Sequence, residues 1–449
     1  MKILIITTYY PPDTAIAAVR PYMFAKYLTR YGHEVTVLRS GEIRDGLSTL
    51  YKNEPSVRIL SWLGQDAPAE RYARGEALPD LSSQGASRLQ FLPAVLRKPI
   101  AKVYHLLTRT EGLSYAVKQT GARVEKQKAV LDTLKQEPFD IVFSTFGQAE
   151  NIYAGQYAAK LFDCPLIQDF RDPLATAFQK KKEYRFWKKV QDEAIMQADI
   201  CTAVSQGVLQ DICAGLPVKK AALLYNGYEP TEVTDPNAAP PAGQLSFCYT
   251  GQLYGGLRDF SPLLKALRTL SDEGKISLGK VRIHYAGKDF SCLRQQAEKL
   301  GISEILVDHG YVGRKEASEM QSKSDVFTVL SWNTTSARGI LTGKFYEGIR
   351  AQKPILALVA GDIPYSELDL INEKYGYGFC YENCREKEQF QALCDYLEGL
   401  YREKMSAGSI SYTPDPALET DFRYDTLSKK LEKLCFDVMG QKNSDSKNP

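Results

Sequence analysis

The chain has 449 residues, of which 44% are hydrophobic, 25% charged and 11% aromatic. It therefore falls in the ordinary globular range and outside the disordered, collagenous and low-complexity classes, with length enough for about three domains or two larger α/β ones. The balance of 57 Lys and Arg against 54 Asp and Glu, a net +3, argues against a dedicated nucleic-acid binder, which carries a strongly basic domain.

No stretch offers the 18 or so apolar residues that a membrane span needs. The apolar run at the start, Ile3 to Ile6, is only four residues long and ends in TTYYPP, too short for the core of a signal peptide. A soluble, cytoplasmic chain is expected, peripheral at most on the inner face of a membrane. The nine cysteines are odd in number and irregularly spaced, poor material for a disulfide framework. Cys380-x3-Cys384 with Cys394 lacks the CxxC or His pair of a structural zinc site. Reduced buried thiols, and no metal, are expected.

KILIITT reads as a strand buried on both faces of a parallel sheet. YYPPD breaks it. Phe24, Tyr27, Leu28 and Tyr31 then recur at i, i+3, i+4 and i+7 as an amphipathic helix, with Pro21 tolerated in its first turn. Gly32 ends it and EVTVL is the next strand, completing a right-handed βαβ unit. FDIVFST (139–145), CPLIQDF (164–170) and ADICTAV (198–204) are further buried strands with helical stretches between them.

Residues 229–243 hold four prolines and almost no long apolar side chain, which marks an interdomain linker. The pattern then restarts. LSFCYTG (245–251) is followed by the helix DFSPLLKALRTL. VRIHYAG (281–287), EILVDHGYV (304–312), DVFTVLS (325–331) and KPILALV (353–359) continue the series. Strands alternating with helices imply a second parallel α/β domain. The expected organisation is 1–228 as an N-terminal Rossmann-like domain, 229–243 as linker and 244–410 as a C-terminal one. Residues 411–440 follow as a helical segment and 441–449 as a disordered tail.

In open α/β sheets, ligands bind outside the carboxyl ends of the strands. The first such loop, YYPPDTAIAAVRPY, lacks the GxGxxG that a dinucleotide needs, and GxxxxGK[ST] is absent as well. Residues 336–359, SARGILTGKFYEGIRAQKPILALV, carry more. Thr342 and Gly343 precede a short helix, Lys344 to Ala351, whose N-terminus suits a phosphate. Lys344 and Glu347 are three apart and share a face. Amides holding phosphates with a carboxylate one turn later suit a nucleotide, the Glu accepting from ribose hydroxyls. Spacing alone equally allows a Lys–Glu pair on an ordinary helix.

Four stretches in order along the chain, ILIITTYYPP with GHEVTVL, DFRDP (169–173), YTGQLYGG (249–256) and GKFYEGIRAQKPILAL (343–358), resemble the GT-B nucleotide-sugar glycosyltransferases, specifically the retaining family 4 type of bacterial polysaccharide assembly. The resemblance implies an α/β fold of two Rossmann-like domains facing across a cleft, with the acceptor on the N-terminal side and the donor on the C-terminal side. It implies a hexosyltransferase-like enzyme that moves a sugar from a nucleotide-sugar to a hydroxyl acceptor, with retained configuration. No metal or other cofactor is implied, and the acceptor is a glycan or lipid-linked intermediate of cell-surface glycan synthesis.

By this resemblance Glu347 matches the carboxylate that holds the donor ribose. Leu341, Thr342 and Gly343 match the turn that meets the pyrophosphate, with Lys344 beside them. Arg258 matches the basic residue after the second-domain strand, where a fixed cation stabilises the leaving nucleoside diphosphate. The sequence departs from the family at Gly339, where a glutamate usually stands eight residues before the ribose-binding one, and at Gln252, usually Arg. Ala15 to Ala18 replace a glycine pair. The usual acceptor-side histidine is missing, and STFGQAEN offers Glu150 or Asn151 instead, the catalytic candidates beside Arg258. Two other readings stand beside this one: an epimerase of the same fold, which needs no acceptor, and a catalytically silent nucleotide-sugar-binding subunit, which the missing carboxylate and histidine favour.

Asp13 in the first loop and Asp169, Arg171 and Asp172 in DFRDP fall at strand ends on the acceptor side. They read either as groups that orient substrate or as a buried Asp–Arg pair supporting the loop. His309 reads as solvent-facing or near the nucleotide base, and His33 as structural. Residues 86–128 carry nine basic against two acidic residues, +7, interleaved with Leu, Phe, Val and Ile. A second basic-aromatic run covers Lys180 to Lys189. Both read as solvated helix faces or as surfaces for an anionic membrane.

Overall fold

The computed structural model describes residues 1–13, 16–40, 56–61, 113–231 and 239–445. Among them two all-parallel sheets form. The first has seven strands and the second six. Unit 1 comprises Met1–Val204, Ile212–Leu223 and the chain from Ser428 onward. Unit 2 comprises Ser205–Asp211 and Leu224–Leu427.

In unit 1, β1 (Lys2–Thr7) pairs with β2 (Glu34–Arg39) on one side and β4 (Ile141–Phe146) on the other. Helix α1 (Val19–Arg30) connects β1 to β2, and Gly32, at φ +87°, turns the chain out of it. The sheet continues through β5 (Leu166–Phe170), β6 (Ile200–Ala203) and β7 (Ala221–Leu223), with β3 (Arg58–Ser61) at the opposite edge. Strand β4 is buried along its whole length, as a strand covered by helices on both faces requires. Helices α2 (Leu113–Thr133), α3 (Ala149–Leu161) and α4 (Lys181–Gln197) belong to the same unit. Helix α5 (Gln206–Cys213) follows β6.

Unit 2 repeats the scheme. Strand β8 (Leu245–Thr250) is flanked by β9 (Val281–Ala286) and β11 (Val326–Trp332), with β10 (Leu306–Asp308) at one edge and β12 (Ile355–Ala360) and β13 (Gly378–Glu382) on the other side. The order reverses between β8 and β11, the switch point where open α/β sheets bind ligands. Phe247, Val326, Leu330 and Leu356 build one core face and Phe327, Val329, Ile355 and Ala357 the other. Helices α6 (Ser261–Asp272), α7 (Phe290–Glu298), α8 (Arg314–Ser322), α9 (Gly343–Ala351), α10 (Glu367–Tyr375), α11 (Glu386–Ala407) and α12 (Ala417–Asp421) complete it.

Helix α13 (Tyr424–Asp445) runs past residue 441, where a tail was expected. From Ser428 onward it belongs to unit 1. His33 is nearly buried beneath it, 2.6 Å from Glu432 Oε1, in the structural place expected of it. The strands read from apolar runs all form. β3, β7 and β13 were not read.

Candidate functional site

Strand β8 ends at Thr250, at the switch point of unit 2. The turn that follows is tied down on several sides. Tyr285 donates its hydroxyl to the Gly251 carbonyl at 2.9 Å and accepts from the Asp289 N–H at 3.1 Å. Asp289 in turn accepts from the Leu253 N–H at 2.7 Å. Burial pushes the Tyr285 hydroxyl up to about 12, so it stays a donor at neutral pH.

This turn delivers Arg258. Its Nη1 donates to the Tyr249 hydroxyl and to the Gln252 carbonyl, both at 3.0 Å. The guanidinium carbon lies 4.7 Å from the centroid of the Tyr254 ring and 5.7 Å from that of Trp332, at the end of β11. Two rings and two hydrogen bonds fix the plane of a group that Lys could not replace. Nε of Arg258 has no hydrogen-bond partner among the described residues.

Strand β11 leads to α9, one residue longer at its start than expected. Thr342 precedes it in an extended conformation, so the chain enters the helix abruptly and the first-turn N–H groups lack intrahelical acceptors. The Thr342 hydroxyl, also buried, has no hydrogen-bond partner among the described residues. Gly348 lets the helix lie close on the sheet: a Cβ there would stand 2.9 Å from Ile355 Cδ1.

Glu347 sits one turn into α9. Lys344 Nζ is 2.7 Å from both of its oxygens. Gln321 Nε2, from α8, donates to Glu347 Oε2 at 2.8 Å and to Thr250 Oγ1 at 2.9 Å. Burial pushes the Glu347 carboxyl up, but the Lys344 charge and the hydrogen bonds from Lys344 and Gln321 outweigh it, and it titrates below its ordinary value. It is thus an ionised acceptor, one quarter exposed. The expected Lys–Glu contact exists, yet it is no ordinary surface pair, because a buried amide completes it.

Gly339 has φ +64°. A Cβ there would stand 2.5 Å from Ser205 Oγ and 2.9 Å from Glu367 Oε2. Glu367 is itself engaged, accepting from the N–H groups of Gln206 at 2.7 Å and Gly207 at 3.1 Å. Burial raises its pKa against these hydrogen bonds. Backbone conformation and space both exclude the family's first glutamate from this position.

Unit 1 holds the acceptor-side candidates. Asp169 is fully buried and takes a two-pronged contact from Arg20, at 3.0 Å from Nε and 2.7 Å from Nη2, with Thr145 and Thr202 completing its acceptor set. Its arginine partner is therefore Arg20 of α1, not Arg171. Arg171 instead donates to the Ala17 carbonyl at 3.0 Å, and Asp172 is exposed. Asn151 is buried, donating to Thr8 Oγ1 and the Thr145 carbonyl and accepting from Gln127 and Ser40. Glu150 lies 3.4 Å from Arg123 Nη1. Burial pushes its carboxyl up, more than that cation pulls it down. Asp13 is buried and close enough to Arg39 to raise its pKa, though burial lowers that pKa more.

His309 is exposed and pairs with His284 of β9, ring nitrogen to ring nitrogen, at 2.9 Å. Among the described residues no group of three His, Cys, Asp or Glu could hold a metal ion, and Cys380 is buried while Cys384 is exposed. Residues 86–112 of the basic stretch lie outside the described residues. Its remainder forms part of α2, where Arg123 and Lys128 already pair with Glu150 and Glu125. Sequence reasoning missed Gln321, Trp332, Tyr254 and Asp289. The last three stand at strand ends or in the loop after β8, a position that marks them as candidates. Gln321 lies inside α8 and has no such signal.

No family model and no curated protein matches the chain. Solved structures do. The lipopolysaccharide outer core galactosyltransferase WaaB, in its apo form, is 15% identical at a TM-score of 0.57, over 97% of this chain and 99% of its own. TarM is 8% identical at 0.56, over 98% and 99%. HepE of Anabaena, solved in complex with UDP-glucose, is 14% identical at 0.52, over 97% and 100%. At these identities the likeness is one of fold, and the fold is GT-B, with two Rossmann-like units. No helix among the described residues is long and apolar enough to cross a membrane.

Proposed function

We propose that this chain is a retaining glycosyltransferase that moves a sugar from a nucleotide-sugar to a hydroxyl of a lipid-linked or polysaccharide acceptor, working at the inner face of an anionic membrane. One observation carries the donor half of the reading. Glu347, ionised and held by Lys344 and Gln321, stands one turn into a helix whose N-terminus follows Leu341, Thr342 and Gly343. Helix amides and dipole suit the diphosphate. The carboxylate one turn later suits two ribose hydroxyls.

Arg258 supplies the fixed cation for the departing group. As the bond between the anomeric carbon and the diphosphate oxygen breaks, the acceptor oxygen bonds to that carbon and its proton leaves with the nucleoside diphosphate. A preorganised guanidinium lowers the barrier by meeting the charge as it develops. In unit 1, Asp13, Glu150 and Asp172 serve the acceptor side, and Asn151, Asp169 and Arg171 hold the frame around them. No metal or other cofactor takes part in this scheme.

A second reading, a nucleotide-sugar-binding subunit without turnover, draws support from the space closed to a side chain at residue 339. Titration calorimetry with UDP and GDP, followed by product analysis over a panel of nucleotide-sugars with and without acceptor, tests both. Binding with transfer supports the first reading and binding without it the second. Isomerised donor in the absence of acceptor would mark an epimerase. Glu347→Ala with unchanged nucleotide affinity would refute the ribose assignment.

A further inference from the structure

Two features of unit 1 run against the local physics of a surface helix. The first is charge. Helix α4 opens with Lys180 at its N-cap and Lys181 and Lys182 in its first turn, where Glu183 is the one acidic residue. The N-terminus of a helix is the positive end of its dipole, which favours Asp and Glu and disfavours Lys. Lys180, Lys181, Lys182 and Arg185 form no ion pair among the described residues, whereas Lys188 and Lys189 pair with Asp192 and Glu193. Lys181, Lys182, Arg185 and Lys189 project from the face opposite to buried Trp187, Val190, Gln191 and Ala194.

The second feature is Phe178, 85% exposed just before these lysines. It is presented by a built turn. Gln179 accepts from the Thr176 N–H at 3.1 Å and donates to the Leu174 carbonyl at 3.0 Å. Gln191, on the buried face of α4, accepts from the N–H groups of Leu174 and Ala175 at 2.8 and 3.3 Å. A single exposed hydrophobic residue is common on protein surfaces. One locked outward beside four uncompensated cations is a different arrangement. Local rules broken together without a structural gain mark a functional surface.

We propose that Phe178 and the cationic opening of α4 form a docking surface for an anionic lipid bilayer, Phe178 entering the headgroup boundary while Lys180, Lys181, Lys182 and Arg185 meet the lipid phosphates. The cations provide long-range attraction that salt screens. The apolar ring provides a component that salt does not remove. A soluble polyanion would use the lysines but has no place for an aromatic wedge. Of the basic-aromatic run in the sequence, Trp187 is excluded from this role because only 6% of it is exposed. This inference rests on the membrane placement proposed above and assigns it a surface, while the donor site stands apart from it.

Co-sedimentation of the full chain with vesicles tests it, comparing mixed phosphatidylglycerol and phosphatidylcholine with phosphatidylcholine alone. Binding to the mixed vesicles only, reduced by salt, is expected. Reversing three charges (Lys181→Glu, Lys182→Glu and Arg185→Glu together) weakens it at least tenfold, and Phe178→Ser makes what remains fully salt-labile. If the reversal disturbs folding, as read by circular dichroism, the same three positions changed to Gln replace it.

Equal binding to both vesicles, no binding, or variants that sediment like the parent would overturn the proposal. So would binding of soluble polyphosphate without sedimentation. UDP and GDP titrations without lipid separate the two readings. Lost sedimentation with unchanged nucleotide affinity in the variants supports docking, and absent nucleotide affinity in the parent removes the donor reading alone.

Discussion

Gln321 Nε2 stands 2.8 Å from Glu347 Oε2. The same nitrogen reaches Thr250 Oγ1 at 2.9 Å, so one side chain that is 1% exposed joins the end of β8 to helix α9. Gln321→Met keeps the volume and removes the donor. Leaving a charged acceptor short of one buried hydrogen bond costs about 1–3 kcal/mol. The variant is expected to fold and to bind nucleoside diphosphate about tenfold more weakly. Titration calorimetry checks this, and parental affinity would show that Glu347 is positioned without Gln321.

The lowered pKa of Glu347 has a stability consequence whose sign is fixed. The native carboxyl titrates below its ordinary 4.5, so the folded state holds its proton less tightly than the unfolded one. The resulting stabilisation is complete above the ordinary carboxylate range and is lost as pH falls through the native value. Urea unfolding of the parent and of Glu347→Gln should differ most at neutral pH and converge in acid. A difference that stays constant with pH would exclude the Lys344 and Gln321 contacts as its source.

Asp169 and Arg20 are 149 residues apart and meet wholly out of water. Asp169→Ala takes the carboxylate from a buried guanidinium and the acceptor from Thr145 and Thr202. Breaking one side of such a pair costs about 3–5 kcal/mol. Arg171→Ala removes a half-buried contact to the Ala17 carbonyl, a neutral-acceptor bond of about 1 kcal/mol, and should cost less. Chemical denaturation of both variants orders them. The opposite order would move the structural role back to Arg171.

These pairs mark where sequence legibility stops. The central strands were legible because β1 and β12 carry continuous apolar runs and β4 and β8 are apolar with only Ser and Thr among them, a signal that depends on burial on both faces. β3, β7 and β13 have three to five residues, and none is buried throughout, so no run stands out. Glu347 was legible because its turn and helix are local. Gln321 was not, since it acts across 26 residues to Glu347 and 71 to Thr250 from within a plain polar helix. Arg20 was missed as the partner of Asp169 for the same reason. Nearness in the chain favoured Arg171, and only the sheet brings α1 to the end of β5.

Gly339 stands where the family that the sequence resembles usually has a glutamate, a difference that the sequence displays but does not explain. Its φ of +64° and the 2.5 Å approach to Ser205 Oγ leave no room for a side chain. Gly339→Glu introduces the residue usual in that resembled family. It should lower stability by about 2 kcal/mol or more, combining left-handed strain with a displaced Glu367, and it should not raise sugar transfer. Thermal unfolding and a transfer assay read the two effects. A stable, more active variant would show that the turn can open and that the missing carboxylate limits catalysis.

Arg258 is held by two hydrogen bonds and two rings. If it meets the diphosphate, its contribution must depend on the number of phosphates. Charge-assisted hydrogen bonds contribute about 1.5–3 kcal/mol, so Arg258→Ala should weaken the diphosphate of whichever nucleoside the panel selects by about 10- to 100-fold. The monophosphate should lose little. Arg258→Lys keeps the charge but forfeits the fork and the stacking on Tyr254 and Trp332, so it should fall between parent and alanine. Calorimetric titration of mono- and diphosphate against all three proteins separates the cases. An equal loss for both nucleotides would assign Arg258 to the loop rather than to the leaving group.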